Sequence, residues 1–417
     1  MGVKQKFSIF SKNANMYLVA ISFFYISMGS FNMLQGIYLK ELNIEESFLG
    51  IILSFKTFAI AFASIPCAMI VNKIGRKRGI LITMSLVPLL TILQGAIPNK
   101  YIILFISVLQ GAVQGFLMVS EGPFFMDNSN PKNRIKLFSY SFADNVFSTM
   151  FGYFVFGQLS NTLSSHFGVL FGLKYGIIIS GIIGLVSCVF ILFIKDNKTH
   201  VSTQKYFLKK VKILCLKPYP RKFIIYNLLV GFGAGLVVPY FNIYLKYKVS
   251  ASTSQIGIIM ALAQGAMGIG GLITPSMTNK FGRIKTIMIC QSISIPFLML
   301  IALPPNLYIV ATALLFRNAL MNMAGPVISS LSMELIDDDE RSIYSSLNSI
   351  SNNLSRAISA LVAGYIMENL PHGYELPYFI TAITYLVSTI YFYKSFSIVD
   401  SKKFLQKNVE SNTVTSK

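Results

Sequence analysis

Six ionisable side chains fall in or at the edge of long apolar runs: Lys56, Glu121, Asp144, Arg317, Glu334 and Arg356. A charge in such a run is costly and marks function more often than chance would. Asp144 is the first candidate for a proton-coupling group, because burial and a neighbouring cation pull on a carboxyl's proton in opposite directions. Glu121 is the second candidate. The structural alternative is a fixed ion pair of Asp144 with Lys56 or Arg317. Arg317 and Arg356 are candidates for binding an anionic or zwitterionic substrate, since guanidinium offers a rigid fork to carboxylate or phosphate. Their alternative role is bonding to carbonyls freed near helix kinks. Lys56 either adds a third positive contact or neutralises Asp144.

Uncharged polar residues form a second set. Asn32 and Gln35 lie close together in one run, Asn242 takes the place of Gln35 in a later one, and Asn348, Asn352 and Arg356 follow at intervals of four. That interval puts the last three on one helical face. Such a stripe either binds substrate or joins helices by hydrogen bonds. The four cysteines and three histidines have no metal-ligand spacing, and no phosphate-binding glycine loop or clustered nucleophile is present. The expectation is a protein that is not an enzyme and holds neither metal nor cofactor.

The elements that must position these groups are helices that cross a membrane. The 417-residue chain is 53% hydrophobic and 12% charged, against about 25% charge in ordinary soluble domains. Runs of roughly 20 apolar residues suffice to cross a bilayer as helices. Twelve are predicted, at 16–39, 48–70, 79–97, 101–124, 137–160, 173–194, 223–245, 256–277, 286–303, 307–330, 343–366 and 376–394. The net charge of +20 does not point to nucleic acid, because the basic residues sit in short connections. Of 36 Lys and Arg residues, 28 fall in the connections on one side and four in those on the other. This bias places both termini in the cytoplasm. Abundant Lys, Asn and Ile suggest a bacterial chain and its cytoplasmic membrane.

The runs repeat. Asn72 and Asn279 open matching basic turns 207 residues apart, Gly50-Ile51-Ile52 recurs as Gly257-Ile258-Ile259, and Arg134 aligns with Arg341. Matches in one order at nearly one offset indicate an internal duplication. Two six-helix bundles are therefore expected, at 12–195 and 223–395. Residues 196–222 form the loop between them and 396–417 a polar tail. Within that loop, the cationic and apolar spacing over 205–216 suggests a helix lying on the membrane surface.

The basic turns read Asn72-Lys73-Ile74-Gly75-Arg76-Lys77 and Asn279-Lys280-Phe281-Gly282-Arg283-Ile284. With twelve spans in two sixes and a long central loop, they resemble the major facilitator superfamily. Its signature there is Gly-x-x-x-Asp-Arg/Lys-x-Gly-Arg/Lys-Arg/Lys. Both copies carry Asn in place of the acidic residue and lack the leading Gly. Gly75 and Gly282 supply a backbone angle other residues resist, and Arg76 and Arg283 hold the turns on the cytoplasmic side. A latch made by Asn72 or Asn279 should be weak, because an amide carries no charge to meet a helix dipole. The stretches from Pro123 to Arg134 and from Pro326 to Arg341 also resemble family regions, with the two prolines expected to kink gating helices or simply to aid packing.

The resemblance implies an all-α twelve-helix fold and a secondary transporter that alternates access between the two sides of the bilayer. It implies a small-molecule substrate and protons as partners, acting in lipid as a monomer, with no nucleic acid. Export of a small organic or amphipathic compound is the first expectation, and proton-coupled uptake of a small anionic or zwitterionic metabolite the alternative.

Overall fold

A computed structural model describes residues 10–195, 214–303, 306–337 and 340–414. Most of the loop segment expected to lie on the membrane, 205–216, falls outside the described residues. Twelve long helices follow in order, and no strand occurs among the described residues. They are α1 (Lys12–Glu41), α2 (Glu46–Ile74), α3 (Arg76–Ala96), α4 (Lys100–Asp127), α5 (Pro131–Phe167) and α6 (Val169–Leu192). After the central loop come α7 (Pro218–Lys248), α8 (Thr253–Phe281), α9 (Arg283–Ala302), α10 (Leu307–Leu335), α11 (Arg341–Asn369) and α12 (Leu376–Val414). Each contains most of one predicted span. Among the described residues, ten are long and apolar enough to cross a membrane. The other two, α5 and α11, carry rows of Ser and Asn with Asp144 and Arg356, and those rows turn toward other helices rather than lipid. The polar tail expected after 395 continues α12 as helix to Val414.

The repeat reappears as geometry. Asn99 caps α4 by accepting from the Tyr101 and Ile102 amides at 3.0 and 3.2 Å, and Asn306 caps α10 on Tyr308 and Ile309 at the same two distances. These caps satisfy helix N–H groups that have no partner inside the helix. At the basic turns Gly75 and Gly282 have φ of +94° and +82°, the left-handed region that favours glycine. In the first half α1 packs on α5 and α6, and α3 and α2 pack on α4, with α3 also on α6. The second half repeats this plan with α7 on α11 and α12, α9 and α8 on α10, and α9 on α12.

Two extensive contacts join the halves, α2 with α11 and α5 with α8, and a smaller one sets α1 against the broken end of α7. The two extensive ones are glycine crossings related by the repeat. A Cβ on Gly364 would stand 2.5 Å from the Glu46 carbonyl oxygen and 3.1 Å from Gly50 Cα; one on Gly157 would stand 3.2 Å from the Thr253 oxygen and 2.8 Å from Gly257 Cα. Only hydrogen fits there, so these backbones touch as small-residue interfaces in membranes do.

Every hydrogen bond found between the halves among the described residues lies toward the same end of the bundle, the end poor in Lys and Arg. Asn242 donates to the Met33 carbonyl at 2.6 Å, Tyr247 to Glu41 at 2.9 Å, Tyr374 to Glu46 at 2.5 Å and the Ser47 amide to Glu368 at 2.9 Å. Ser254 donates to Gln158 at 2.7 Å and Ser54 to the Ala357 carbonyl at 2.6 Å. The bundle is thus sealed at the charge-poor end. At the basic end no hydrogen bond or ion pair bridges the halves among the described residues.

Candidate functional site

Between the halves lies a cavity of about 390 Å³, walled mostly by α7 to α12 with Tyr153 of α5 entering from the first half. A second space of about 400 Å³ shares Ser329, Ser332, Tyr344, Asn348 and Asn352 with it, and adds Met118 of α4. The two form one path toward the basic end. Volumes of this size hold small organic ligands.

Arg317 on α10 and Arg356 on α11 both line the cavity. Arg317 is 2% exposed. It donates through Nη2 to the Tyr385 hydroxyl at 3.0 Å and through Nη1 to Asn318 at 3.3 Å, while its Nε is buried with no partner. The rings of Phe241 and Tyr385 lie 5.3 and 5.8 Å from its guanidinium carbon, within the range of cation–π attraction. Arg356 has no hydrogen-bond or carboxylate partner for its side chain among the described residues. Neither arginine therefore follows the structural alternative of capping free carbonyls. Asn348 and Asn352 also line the cavity and lean on α7: Asn227 donates to Asn348 at 2.6 Å, and Asn352 donates to the Asn227 carbonyl at 3.3 Å. No carboxylate stands among the cavity's lining residues.

The carboxylates are in the other half. Asp144 Oδ1 accepts from Ser22 at 2.7 Å and Ser148 at 3.1 Å, and its Oδ2 is buried without a partner. Glu121 accepts from Tyr17 at 2.9 Å and Ser141 at 3.4 Å. The expected alternative of an ion pair between Asp144 and Lys56 or Arg317 does not occur. Lys56 is buried, with its Nζ 4.9 Å from the centre of the Phe31 ring and no carboxylate against it.

Four substrate-binding candidates besides these lie outside the cavity. Lys56 does, and so does Gln35, which donates to Gln94 at 2.9 Å. Gln94 donates to Gln110 at 3.3 Å, which donates to Thr91 at 2.9 Å, a chain that ties α1, α3 and α4 together. Asn242 sits where α7 breaks after Pro239 into a 3-10 turn and a π-helical turn, and it joins the seal. Asn32 is exposed, its carbonyl accepting weakly from Asn242 at 3.4 Å.

At the basic turns the latch is arginine, not asparagine. Arg76 donates to the Pro123 carbonyl at 2.8 Å and pairs with Asp127 at the end of α4. Arg283 pairs with Glu334 at 2.5 Å at the end of α10, again 207 residues on. The side chains of Asn72 and Asn279 make no hydrogen bond among the described residues. Pro123 and Pro326 lie inside α4 and α10 as expected. Arg134 keeps a buried unpartnered Nε, and Arg341 donates to the Ile336 carbonyl at 3.2 Å.

Sequence reasoning passed over Tyr385, Gln291, Asn227 and Gln264 of the cavity, whose sequence neighbours look like those of any lipid-facing stretch. Asp127 could have been found by pairing the basic turns with acidic residues at the repeat offset.

The geometry agrees with the comparisons. No curated protein matches the sequence. Among solved structures, the nucleoside transporter NupG superposes with a TM-score of 0.76 at 14% identity, covering 92% of this chain and 98% of that one. A bacterial homologue of the human lysosomal transporter Spinster, inward-facing and occupied, gives 0.74 at 13% identity over 92% and 96%. A bacterial homologue of the iron transporter ferroportin, inward-facing, gives 0.66 at 13% identity over 92% and 98%. The family model described as Major Facilitator Superfamily matches residues 17–220 and 223–414, so the chain belongs to that superfamily of membrane transporters.

Proposed function

We propose that this chain is a proton-coupled secondary transporter that works by alternating access as a monomer, rocking its halves, 12–195 and 223–395, about the cavity. The observation that carries this is the asymmetry of closure: glycine crossings and hydrogen bonds join the halves at one end, and a continuous cavity leads to the other. With the basic end in the cytoplasm of a bacterium, the conformation described is inward-facing.

Asp144 and Glu121 are the coupling groups. Asp144 Oδ2 is a buried carboxylate oxygen with no donor facing it, so a proton there satisfies the group and removes a costly charge. Both carboxylates rest on donors from α1 and α5, Glu121 on Tyr17 and Ser141 and Asp144 on Ser22 and Ser148, so movement of α1 against α5 reaches both. Export of a small organic or amphipathic compound against protons uses this machinery in one direction. Uptake of a small anionic or zwitterionic metabolite uses it in the other, and the two cavity arginines favour that reading. Carrying a proton inward with an anion cancels the charge that the membrane potential opposes, about 2.3 kcal/mol per charge per 100 mV.

The test is flux into proteoliposomes of a panel of labelled organic compounds under an imposed proton gradient. Asp144→Asn should abolish accumulation driven by the gradient while leaving exchange of substrate for substrate intact. Unchanged gradient-driven accumulation would remove Asp144 from the coupling.

A further inference from the structure

The cavity carries a narrower statement about its ligand, which rests on the carrier reading above. We propose that the site takes an organic oxyanion: carboxylate or phosphoryl oxygens between Arg317 and Arg356, and an apolar, ring-sized body against Phe241, Tyr153 and Met260.

Three observations point there. First, the cations are not neutralised by the protein. Arg317 is almost fully buried, with its Nε bare and its other bonds made to neutral oxygens, and Arg356 has no partner among the described residues. The two line the same cavity. A buried charge without a counter-charge, as at Arg317, is among the most unfavourable arrangements in a fold, and a bound anion relieves it while giving the half-buried Arg356 a partner. The bonds to Tyr385 and Asn318, with the Phe241 ring 5.3 Å away, restrain Arg317, so its fork is pre-organised and little conformational freedom is lost on binding.

Second, the cavity offers no opposite charge to an ammonium. No carboxylate lines it, and Asp144 and Glu121 are engaged within the first half with Ser22, Ser148, Tyr17 and Ser141. A zwitterion would bring a cation into a site that already holds two. That separates simple organic anions from amino-acid-like substrates, which the sequence left together.

Third, the space is larger than an inorganic anion fills, and part of its lining is apolar. About 390 Å³ is bounded on one side by Tyr153, Phe241, Met260, Met267 and Leu314. Sulfate or phosphate would leave that wall facing water, whereas a ring or short branched chain would cover it and add favourable burial.

The experiment uses the purified full-length chain in detergent and in proteoliposomes. Five probes share one body or lack it: 4-methylbenzoate, 4-methylbenzamide, 4-methylbenzylamine, 4-(aminomethyl)benzoate and inorganic phosphate. Binding is read from the ligand-dependent rise in unfolding temperature. The aryl carboxylate should bind, and the neutral, cationic, zwitterionic and inorganic probes should bind at least about tenfold more weakly, the scale of one charged hydrogen bond. Arg356→Gln should weaken carboxylate binding by about tenfold or more, with Arg356→Lys recovering part of it. Arg356 is half-buried, so this variant is safer for folding than Arg317→Gln, which should show the same loss. Equal binding across the charge series, no binding of the carboxylate, or unaltered binding in Arg356→Gln would each overturn the proposal.

Exchange of labelled 4-methylbenzoate between vesicle lumen and medium separates this from the carrier reading. Binding at the arginines without exchange would sink the carrier and leave the oxyanion site standing. Exchange of the neutral or cationic probe with none of the carboxylate would do the reverse.

Discussion

At the residue scale, the two carboxylates inside the bundle share the first half with Lys56, and the two cavity arginines lie in the second. The first half holds Glu121 and Asp144 on hydroxyl donors, and the second holds Arg317 beside the rings of Phe241 and Tyr385, with Arg356 lining the same cavity. Their types and depth were legible in the sequence, because an ionisable residue stands out in an apolar run. Their partners were not. An ion pair from Asp144 to Lys56 or Arg317 was a fair expectation on charge alone, yet the partners are Ser22 and Ser148, which lie on α1 and one turn away on α5. Gln35 shows the same limit, since a polar residue in a span reads alike whether it faces a cavity or another glutamine.

Outside the membrane, Lys217 donates to Asp337 and Glu340 at 2.8 Å each. Lys217 holds the Asp337 carboxyl below its ordinary value, and the two carboxylates raise Lys217. A lowered carboxyl contributes stability above its unfolded pKa and loses it as pH falls through the folded one. The bond should therefore persist at neutral pH and fail only below about pH 4. In Lys217→Gln the Asp337 titration, followed by NMR of a labelled carboxyl, should move up toward the ordinary value. No movement would show that the bond does not form in solution.

At the scale of elements, helix count and order were readable because apolar runs of bilayer length leave little choice. The turns at Gly75 and Gly282 were readable too, since in each a glycine followed by arginine in a short basic connection takes the positive φ. What could not be read was which helix meets which. The glycine crossings, Gly50 with Gly364 and Gly157 with Gly257, depend on contacts between residues far apart in the chain. Their repeat relation gives the prediction. Gly364→Leu places a side chain against the Glu46 carbonyl, and overpacking of this kind costs about 1–3 kcal/mol. The molecule should respond by parting α2 from α11 at the charge-poor end rather than by unfolding. A cysteine at Ser47 should then react faster with a membrane-impermeant maleimide, and flux should fall. Unchanged labelling with normal flux would mean that the crossing does not set the closure.

At the scale of the whole molecule, a duplicated chain gives two bodies built alike, and the joint between them decides what the protein does. In the state described the joint is made at the charge-poor end, by crossings and hydrogen bonds contributed by both copies. Nothing holds the basic end together among the described residues. The latches there, Arg76 with Asp127 and Arg283 with Glu334, stay inside their own halves. Each latch ties helices within one half, as the proposed rocking of the halves requires. The duplication itself was legible in the sequence at the 207-residue offset, but the state of the joint was not, because one sequence serves both openings.

The most direct test is a pair of distances measured by spin labels in lipid, one between Asn43 and His372 at the sealed end and one between Lys73 and Lys280 at the basic end, all four exposed. Across conditions that change the proton load and substrate, the account predicts opposed changes, the first distance lengthening as the second shortens. Both distances holding constant while substrate still crosses the bilayer would contradict it.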